Sequence, residues 1–414
     1  MTVRYISANE AAEKWGLSVR SVQNLCKNGK IYGARRFGNS WSIPEDSSRP
    51  ADGRKKDRDR LTHWDQPLIK KTPFLDMTDL YNKPGSADRV VESLSTHSEA
   101  QALFAAEIAY ARGEIDKVYE YSQAILESRS GFYAVLAGGT LLAQCALWKG
   151  DISMWRRARK HLYDAPCKND IDRDIVLLST AVTDCSIRDT RDFPEWFLRG
   201  CFDNLHADSF PAARVYYVKS LMITTQVLAA SNVEYMGLKG VELMRTHPFI
   251  IELVTSQAVM EKTVMAEIYI RLFATVCYNL IGERERAIKH LDRAIDLCIA
   301  DRLYGILAEN RRSIGTLLDE RIAVIAPQID KRVKELYKIY NSGWTKVHNI
   351  IMERRVFEKL STREREVARL AAFGLSNQQI AAQLYLSEAS VKSIIQIAKN
   401  KTGAATRGEL GSYI

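Results

Sequence analysis

The sequence predicts a mainly all-α protein with a long middle of helical hairpins and a small module at each end. Two observations predict this division. Helix-capping pairs and short apolar stripes recur close to both ends, whereas glycine-punctuated stretches with helical apolar spacing fill most of 90–345. The chain has 414 residues, which is longer than chains that fold around a single hydrophobic core usually are, so we expect two or three domains.

The positive charge of the chain is concentrated at its two ends. Residues 1–60 hold 13 Lys/Arg and 7 Asp/Glu, and residues 354–414 hold 10 and 5. The stretch between them holds 36 and 38, although the whole chain has a net charge of +9. Basic ends on a near-neutral middle indicate contacts with a polyanion. The alternative is that the charge only keeps the protein soluble.

Composition and motifs argue against several other classes of protein. The 7 cysteines are scattered without a Cys-x-x-Cys pair, which is typical of reduced thiols in a cytoplasmic protein. The first residues lack the apolar segment of a signal peptide, and no apolar run is long enough to span a bilayer. Histidines are dispersed, and there is no phosphate-binding glycine loop or Gly-x-Ser-x-Gly motif. We therefore expect no metal, no cofactor and no enzymatic activity.

Three short helices are predicted in the last 55 residues. Ser361 with Glu364 and Ser376 with Gln379 form capping-box patterns, and Ser387 begins the third helix. In that third helix, an apolar stripe at helical spacing can seat on the other two helices: Val391, Ile394, Ile395 and Ala398. Lys, Ser, Gln and Asn side chains are left facing outward. This arrangement is typical of a helix-turn-helix.

Segment 360–410 resembles the DNA-binding domain of LuxR-type transcriptional regulators. The matching residues are "REREV" (363–367), "GLSNQQIA" (374–381), "LSEASVK" (386–392), "KTG" (401–403) and "TRGEL" (406–410). The resemblance implies contacts to base edges by Lys392, Ser393 and Gln396. It implies contacts to the DNA backbone by Ser376, Asn377, Ser390, Lys399, Lys401 and Arg407. Ile394 stands where the family commonly has a polar residue, so we expect atypical readout.

The N-terminal residues 1–46 are predicted to form a winged helix-turn-helix. Ser7 and Glu10 form a capping box, Gly16 ends the first helix, and Ser18 caps the second. A short hairpin then turns at "GN" (38–39). The stretch resembles the small DNA-binding domain of the excisionase and MerR-like group. The resemblance implies DNA contacts by Arg20, Ser21, Gln23, Asn24, Arg35 and Arg36. The alternative is a module that binds protein.

Residues 47–89 are predicted to be a linker or basic arm because "EDSSRPADGRKKDRDR" combines Pro, Gly, Ser and dense charge. Residues 90–345 contain glycine-centred units such as "IGERERAIKHLDRAIDLC" (281–298), which resemble tetratricopeptide repeats. We therefore predict an α-solenoid there. A basic amphipathic helical stretch, 329–360, is predicted to be broken at "NSG" and to lead into the last domain, 354–414.

Together these patterns predict a one-component, sequence-specific transcriptional regulator. Its partners would be double-stranded DNA, a second copy of the chain in a homodimer, and a small-molecule or peptide inducer bound by the helical middle. No membrane contact is expected. The alternative is an interaction scaffold whose end modules bind protein rather than DNA.

Overall fold

The chain forms two compact units, Met1–Gln66 and Pro67–Ile414. The computed structural model describes residues 4–27, 31, 34–38, 40–45, 47, 70–127, 131–230, 235, 237–238, 240–353 and 360–414. This part of the chain is mainly helical, as the sequence predicts. Within it, no helix is both long enough and apolar enough to cross a membrane.

The smaller unit contains two helices and a three-stranded antiparallel sheet. Its elements in chain order are β1 (Tyr5–Ser7), α1 (Ala8–Trp15), α2 (Val19–Lys27), β2 (Arg35–Phe37) and β3 (Ser40–Pro44). The strand order is β1-β3-β2, with Ile6 opposite Ile43 and Arg36 opposite Trp41. The capping box of Ser7 and Glu10 is present, and Gly16 ends α1 in the left-handed conformation. Two helices followed by a hairpin are the elements that the sequence predicts.

The described part of the larger unit is a series of helices. They are α3 (Ala87–Ser93), α4 (Ser98–Arg112), α5 (Ile115–Glu127), α6 (Phe132–Lys149), α7 (Ile152–Tyr163), α8 (Asp170–Ser186), α9 (Glu195–Leu198), α10 (Phe210–Ala230), α11 (Val241–Met244), α12 (Pro248–Met260), α13 (Val264–Leu280), α14 (Arg284–Asp301), α15 (Tyr304–Ile314), α16 (Thr316–Ile325), α17 (Asp330–Ile351), α18 (Thr362–Ala372), α19 (Asn377–Leu384) and α20 (Glu388–Thr402). Short 3-10 turns include Leu75–Met77 and Glu409–Tyr413. A large apolar core runs through this unit, and a smaller apolar cluster lies in its C-terminal segment.

The predicted linker extends too far along the chain. From residue 70 onward the segment packs into the larger unit, and Leu75 and Tyr81 are completely buried. Asp301, the last residue of α14, accepts hydrogen bonds from the Tyr81 hydroxyl at 2.5 Å and from the Gly85 and Ala87 amides at 2.6 and 3.0 Å. The apolar run here is too short to produce a periodic signal, which explains the wrong boundary. The predicted basic arm, 54–56, lies outside the described residues.

Helical hairpins are present where the small-residue pattern predicts them, but they do not form an open solenoid. In an open solenoid each hairpin contacts only its neighbours in sequence. Here α15 returns to the first hairpin, because a Cβ on Gly305 would lie 2.6 Å from the Gly113 nitrogen in the α4–α5 turn. Likewise, a Cβ on Gly343 of α17 would lie 2.8 Å from the Gly150 nitrogen in the α6–α7 turn.

The predicted helix break at "NSG" is also wrong, since α17 continues through Asn341 and Gly343. Packing against other helices, rather than a turn, accounts for a glycine and an asparagine at these positions. Gly343 lets the α17 backbone approach the end of α6, where a Cβ would lie 2.3 Å from the Leu147 oxygen. Buried Asn341 accepts a hydrogen bond from Arg312 Nη1 at 2.7 Å. Glycine and asparagine therefore mark a helix contact at this position.

Candidate nucleic-acid interface

The three C-terminal helices, which we call the reader (residues 360–414), begin at serine caps. Ser361 with Glu364 and Ser376 with Gln379 form complete capping boxes at the starts of α18 and α19. The Ser387 hydroxyl accepts a hydrogen bond from the Ser390 amide at 3.1 Å and caps α20. Each cap satisfies amides that a helix start leaves without partners, so the helix boundaries follow from local sequence.

Helix α20 presents a polar face to solvent. Val391 and Ala398 are completely buried, and Ile394 and Ile395 are half-buried against the rest of the reader. The predicted base-reading residues are all exposed and lie on the opposite side: Lys392, Ser393 and Gln396. The structure therefore brings these three together on one accessible helix face. Ile397 is also exposed and adds an apolar group there.

The predicted backbone-contact residues divide into accessible and engaged groups. Ser376 is exposed, although its hydroxyl accepts a hydrogen bond from the Gln379 amide at 3.2 Å. Ser390 is half-buried and its hydroxyl lies 2.8 Å from that of Ser387. Asn377 is half-buried at the start of α19, and Lys399 is half-buried in the last turn of α20. A serine hydroxyl that accepts a capping hydrogen bond keeps its own O–H donor, so capping does not prevent that hydroxyl from donating to a phosphate oxygen.

Lys401 and Arg407 have intramolecular partners. The Lys401 ammonium lies 2.8 Å from both carboxylate oxygens of Glu364. Arg407 donates to the Leu375 main-chain oxygen at 2.5 Å and to Asn377 Oδ1 at 3.4 Å. Burial lowers the pKa of Arg407. In the DNA-free structure, both side chains therefore join parts of the reader to one another.

The six N-terminal candidates are all exposed on the smaller unit: Arg20, Ser21, Gln23, Asn24, Arg35 and Arg36. The first four lie on α2, opposite buried Val22 and Cys26. The other two lie on β2, where Arg36 Nε donates to the Gly38 oxygen at 3.2 Å. The unit thus presents two polar surfaces, one on a helix and one on a hairpin.

One face of α18 is buried against the helical region 70–353, which we call the body. The residues concerned are charged: Arg365, Glu366 and Arg369 are only 3, 6 and 6% exposed. Arg369 donates to the main-chain oxygens of Arg312, at 2.5 Å, and Ser313. The Thr316 hydroxyl donates to Glu366 at 2.9 Å, and Arg365 Nη1 donates to the Tyr337 hydroxyl at 2.9 Å.

Sequence reasoning missed this second surface of the reader. Charged residues on a short helix are usually solvated, so no local signal separates these three from ordinary surface residues. Their partners come from α15, α16 and α17, far away in the sequence. The reader therefore has one face exposed, that of α20, and one face attached to the body.

The described part of the chain contains no group of three or more His, Cys, Asp or Glu side chains that could hold a metal ion. The polar surfaces above consist instead of amide, hydroxyl, ammonium and guanidinium groups. These are the groups that contact base edges and phosphates in protein–DNA complexes.

Comparison with known proteins supports the same conclusion for the C-terminal segment. Residues 358–413 match the family described as "Bacterial regulatory proteins, luxR family". No curated protein and no solved structure matches the chain. The family match supports a LuxR-type DNA-binding domain at this end and a role for the chain as a DNA-binding transcription regulator.

Proposed function

We propose that this protein is a one-component transcriptional regulator that reads specific DNA sequences through α20 and senses an inducer through its body. The observation that carries the proposal is the exposed face of α20, where Lys392, Ser393 and Gln396 lie opposite the buried Val391 and Ala398. A helix fixed on one side and polar on the other can enter the major groove without losing its position on the domain. The proposal gives the chain a binding role and no catalytic step.

Each of the three exposed side chains has a base-edge partner that suits it. Glutamine can form two hydrogen bonds to adenine, lysine donates to the guanine acceptors, and serine bonds to several bases. The exposed Ile397, one turn beyond Ser393, can contact a thymine methyl group. A homodimer would place two copies of α20 in successive major grooves, which doubles the length of sequence read.

The smaller unit would add a second contact to DNA. Its exposed arginines on β2, Arg35 and Arg36, suit phosphates or a narrow minor groove. Such contacts add affinity that depends strongly on salt, because each neutralised phosphate releases counterions. In this arrangement α20 supplies most of the sequence discrimination.

The test uses the full-length protein and a DNA site selected from genomic fragments. Lys392→Ala and Gln396→Ala should each weaken binding to that site by about 1–3 kcal/mol, and should weaken binding to a scrambled site much less. The matched control is Lys338→Ala, which removes an exposed lysine from α17 and should leave both affinities unchanged. Fluorescence anisotropy at fixed salt concentration measures the affinity of the wild type and the three variants for each DNA. Equal losses on both DNA sequences would show that α20 does not read bases.

A further inference from the structure

Two neighbouring cavities lie where the reader meets the body. The first encloses about 70 Å³ and is lined by residues of the body that include Arg188, Lys219, Arg312 and Trp344. The second encloses about 50 Å³ and is lined by residues of both parts, among them Arg369 of α18. Arg188, Ile223 and Gln226 line both cavities, so the two are adjacent.

Arginine side chains dominate this junction, and two of them have no carboxylate within hydrogen-bonding distance among the described residues: Arg312 and Arg369. The carboxylates nearby are already engaged. Glu309 lies 3.7 Å from the Lys219 ammonium, and Glu366 lies 2.9 Å from Arg363. Adjacent Arg311 is paired in the ordinary way, 2.6 Å from Asp319. Buried Arg365 also bonds only to uncharged groups, so positive charge without a paired carboxylate collects at this junction.

Arg312 carries the strongest sign of a missing partner. It is 5% exposed and stacks over Trp344, with its guanidinium carbon 4.6 Å from the ring centre. Its Nη1 bonds to Asn341, but its Nε and Nη2 have no hydrogen-bond partner among the described residues. Burial and the nearby Arg365 and Arg188 guanidinium groups hold the pKa of Arg312 well below its ordinary value.

Arg188 reaches both cavities from a rare backbone conformation. Its φ of 60° lies in the left-handed region and ends α8, since the following Asp189 amide donates to the Asp184 oxygen at 2.9 Å. Its side chain makes only long hydrogen bonds, to the Ile414 main-chain oxygen at 3.2 Å and the Ser313 hydroxyl at 3.4 Å. Burial, together with Arg365, lowers the pKa of Arg188 to about 10.

A buried charge without a counterion is strongly unfavourable, and guanidinium groups bind carboxylates and phosphates through two parallel hydrogen bonds. The rest of the wall is mixed: Met222, Ile223 and Phe273 are apolar groups of the first cavity, which Glu309 and Lys219 also line, and Val227 and Phe373 are apolar groups of the second. These features fit a small anion with a short apolar body.

We propose that these cavities bind a small organic anion, a carboxylate or a phosphate ester, between Arg188 and Arg312 of the body and Arg369 of the reader. If the protein is the regulator proposed above, on which this step rests, the bound anion is its inducer. Because its ligands come from both sides of the junction, its binding favours the attached arrangement of the reader over any detached one. A ligand with different affinity for two arrangements shifts the population between them.

The experiment measures the thermal unfolding midpoint of the full-length protein with sodium phosphate or sodium butyrate, against sodium chloride at equal ionic strength. We expect a saturable rise of about 2 °C or more with at least one of the two anions. Arg312→Met should unfold at a higher temperature than the wild type in chloride, because it removes an unpaired buried charge, and should lose the anion response. The matched control is Arg311→Met, which removes a paired arginine from the same helix and should keep the response.

A rise with phosphate alone, butyrate alone or both supports the site and identifies the anionic group. No rise with either, or a rise that Arg312→Met retains, overturns it. Arg188→Met should also lose the anion response, and it replaces Arg312→Met if that variant does not fold. The unfolding measurement contains no DNA, so its failure leaves the base-reading test of α20 intact. The effective anion should also change the affinity for the selected DNA site by about fivefold or more, and unchanged affinity would overturn the inducer role.

Discussion

At the scale of single residues, Glu364 has two functions in the reader. Its carboxylate completes the capping box by accepting a hydrogen bond from the Ser361 amide at 2.8 Å. The same carboxylate forms an ion pair with the Lys401 ammonium at the end of α20. Burial raises the pKa of Glu364, but the hydrogen bonds from Lys401 and Ser361 outweigh this and leave it below its ordinary value. Glu364 is therefore ionised at neutral pH. In the absence of DNA, its negative charge offsets the positive charge of Lys401 through this ion pair.

Glu364→Gln separates the two functions, because glutamine also serves in a capping box. The variant should keep the α18 cap while releasing Lys401 to contact a phosphate. We expect the slope of log affinity against log salt concentration to become steeper by about 1, with tighter binding at low salt. DNA titrations between low and physiological salt measure this.

The control for this prediction is the double variant Glu364→Gln with Lys401→Ala, which should return to a slope no steeper than that of the wild type. If the single variant binds with the wild-type slope, Lys401 makes no phosphate contact and only joins α18 to α20. The predicted role of Lys401 in DNA binding would then be wrong.

At the scale of helices, the sequence determines where an element begins better than what it packs against. The serine caps of α18, α19 and α20 could be read directly, because a cap depends on residues three positions apart. Asn341 and Gly343 were misread as a break, because their partners lie in α6 and α15. A glycine that admits another backbone and a glycine that ends a helix look the same in one sequence.

Gly343→Ala tests this account of α17. Alanine favours a helix by up to about 1 kcal/mol over glycine, so an exposed position would gain stability. Here the new methyl group would lie 2.3 Å from the Leu147 oxygen and 2.4 Å from the Trp148 oxygen, and α17 must move away from α6. We expect the free energy of unfolding to fall by about 1–3 kcal/mol, measured by denaturant titration.

Gly408→Ala is the matched control, since Gly408 has helical backbone angles and nothing closer than 4.0 Å to a new Cβ. It should be neutral or slightly stabilising. A variant at Gly343 as stable as the control would mean that α17 and α6 are not in backbone contact. The chain would then be closer to the α-solenoid that the sequence predicts.

At the scale of the larger unit, the body and the reader share one core and a set of polar contacts that the sequence could not reveal. The exposed face of α20 was predictable because its polar and apolar residues alternate with helical spacing. The attached face of α18 was not, because Arg365 and Arg369 gain partners only after the chain has folded. The boundary predicted near residue 354 rests on a change of sequence pattern, and both patterns belong to one compact unit.

The attachment of the reader depends on a close approach between Gly240 of the body and Phe373 of the reader. The Val241 amide donates to the Phe373 oxygen at 3.3 Å, and a Cβ on Gly240 would lie 2.1 Å from that oxygen. Gly240→Ala should therefore push the reader away from the body. We expect faster hydrogen–deuterium exchange throughout α18 in the full-length protein, because its buried face would be released.

Gly240→Ala also places alanine at a φ of 54°, which is unfavourable whatever the surroundings. Gly237→Ala controls for this, since Gly237 has a φ of 76° but nothing within 4 Å of a new Cβ. Only the clash at Gly240 should accelerate exchange in α18. If the two variants exchange alike there, the contact with Phe373 does not hold the reader. If only Gly240→Ala accelerates exchange and its affinity for the selected DNA site also changes, then attachment to the body controls DNA binding.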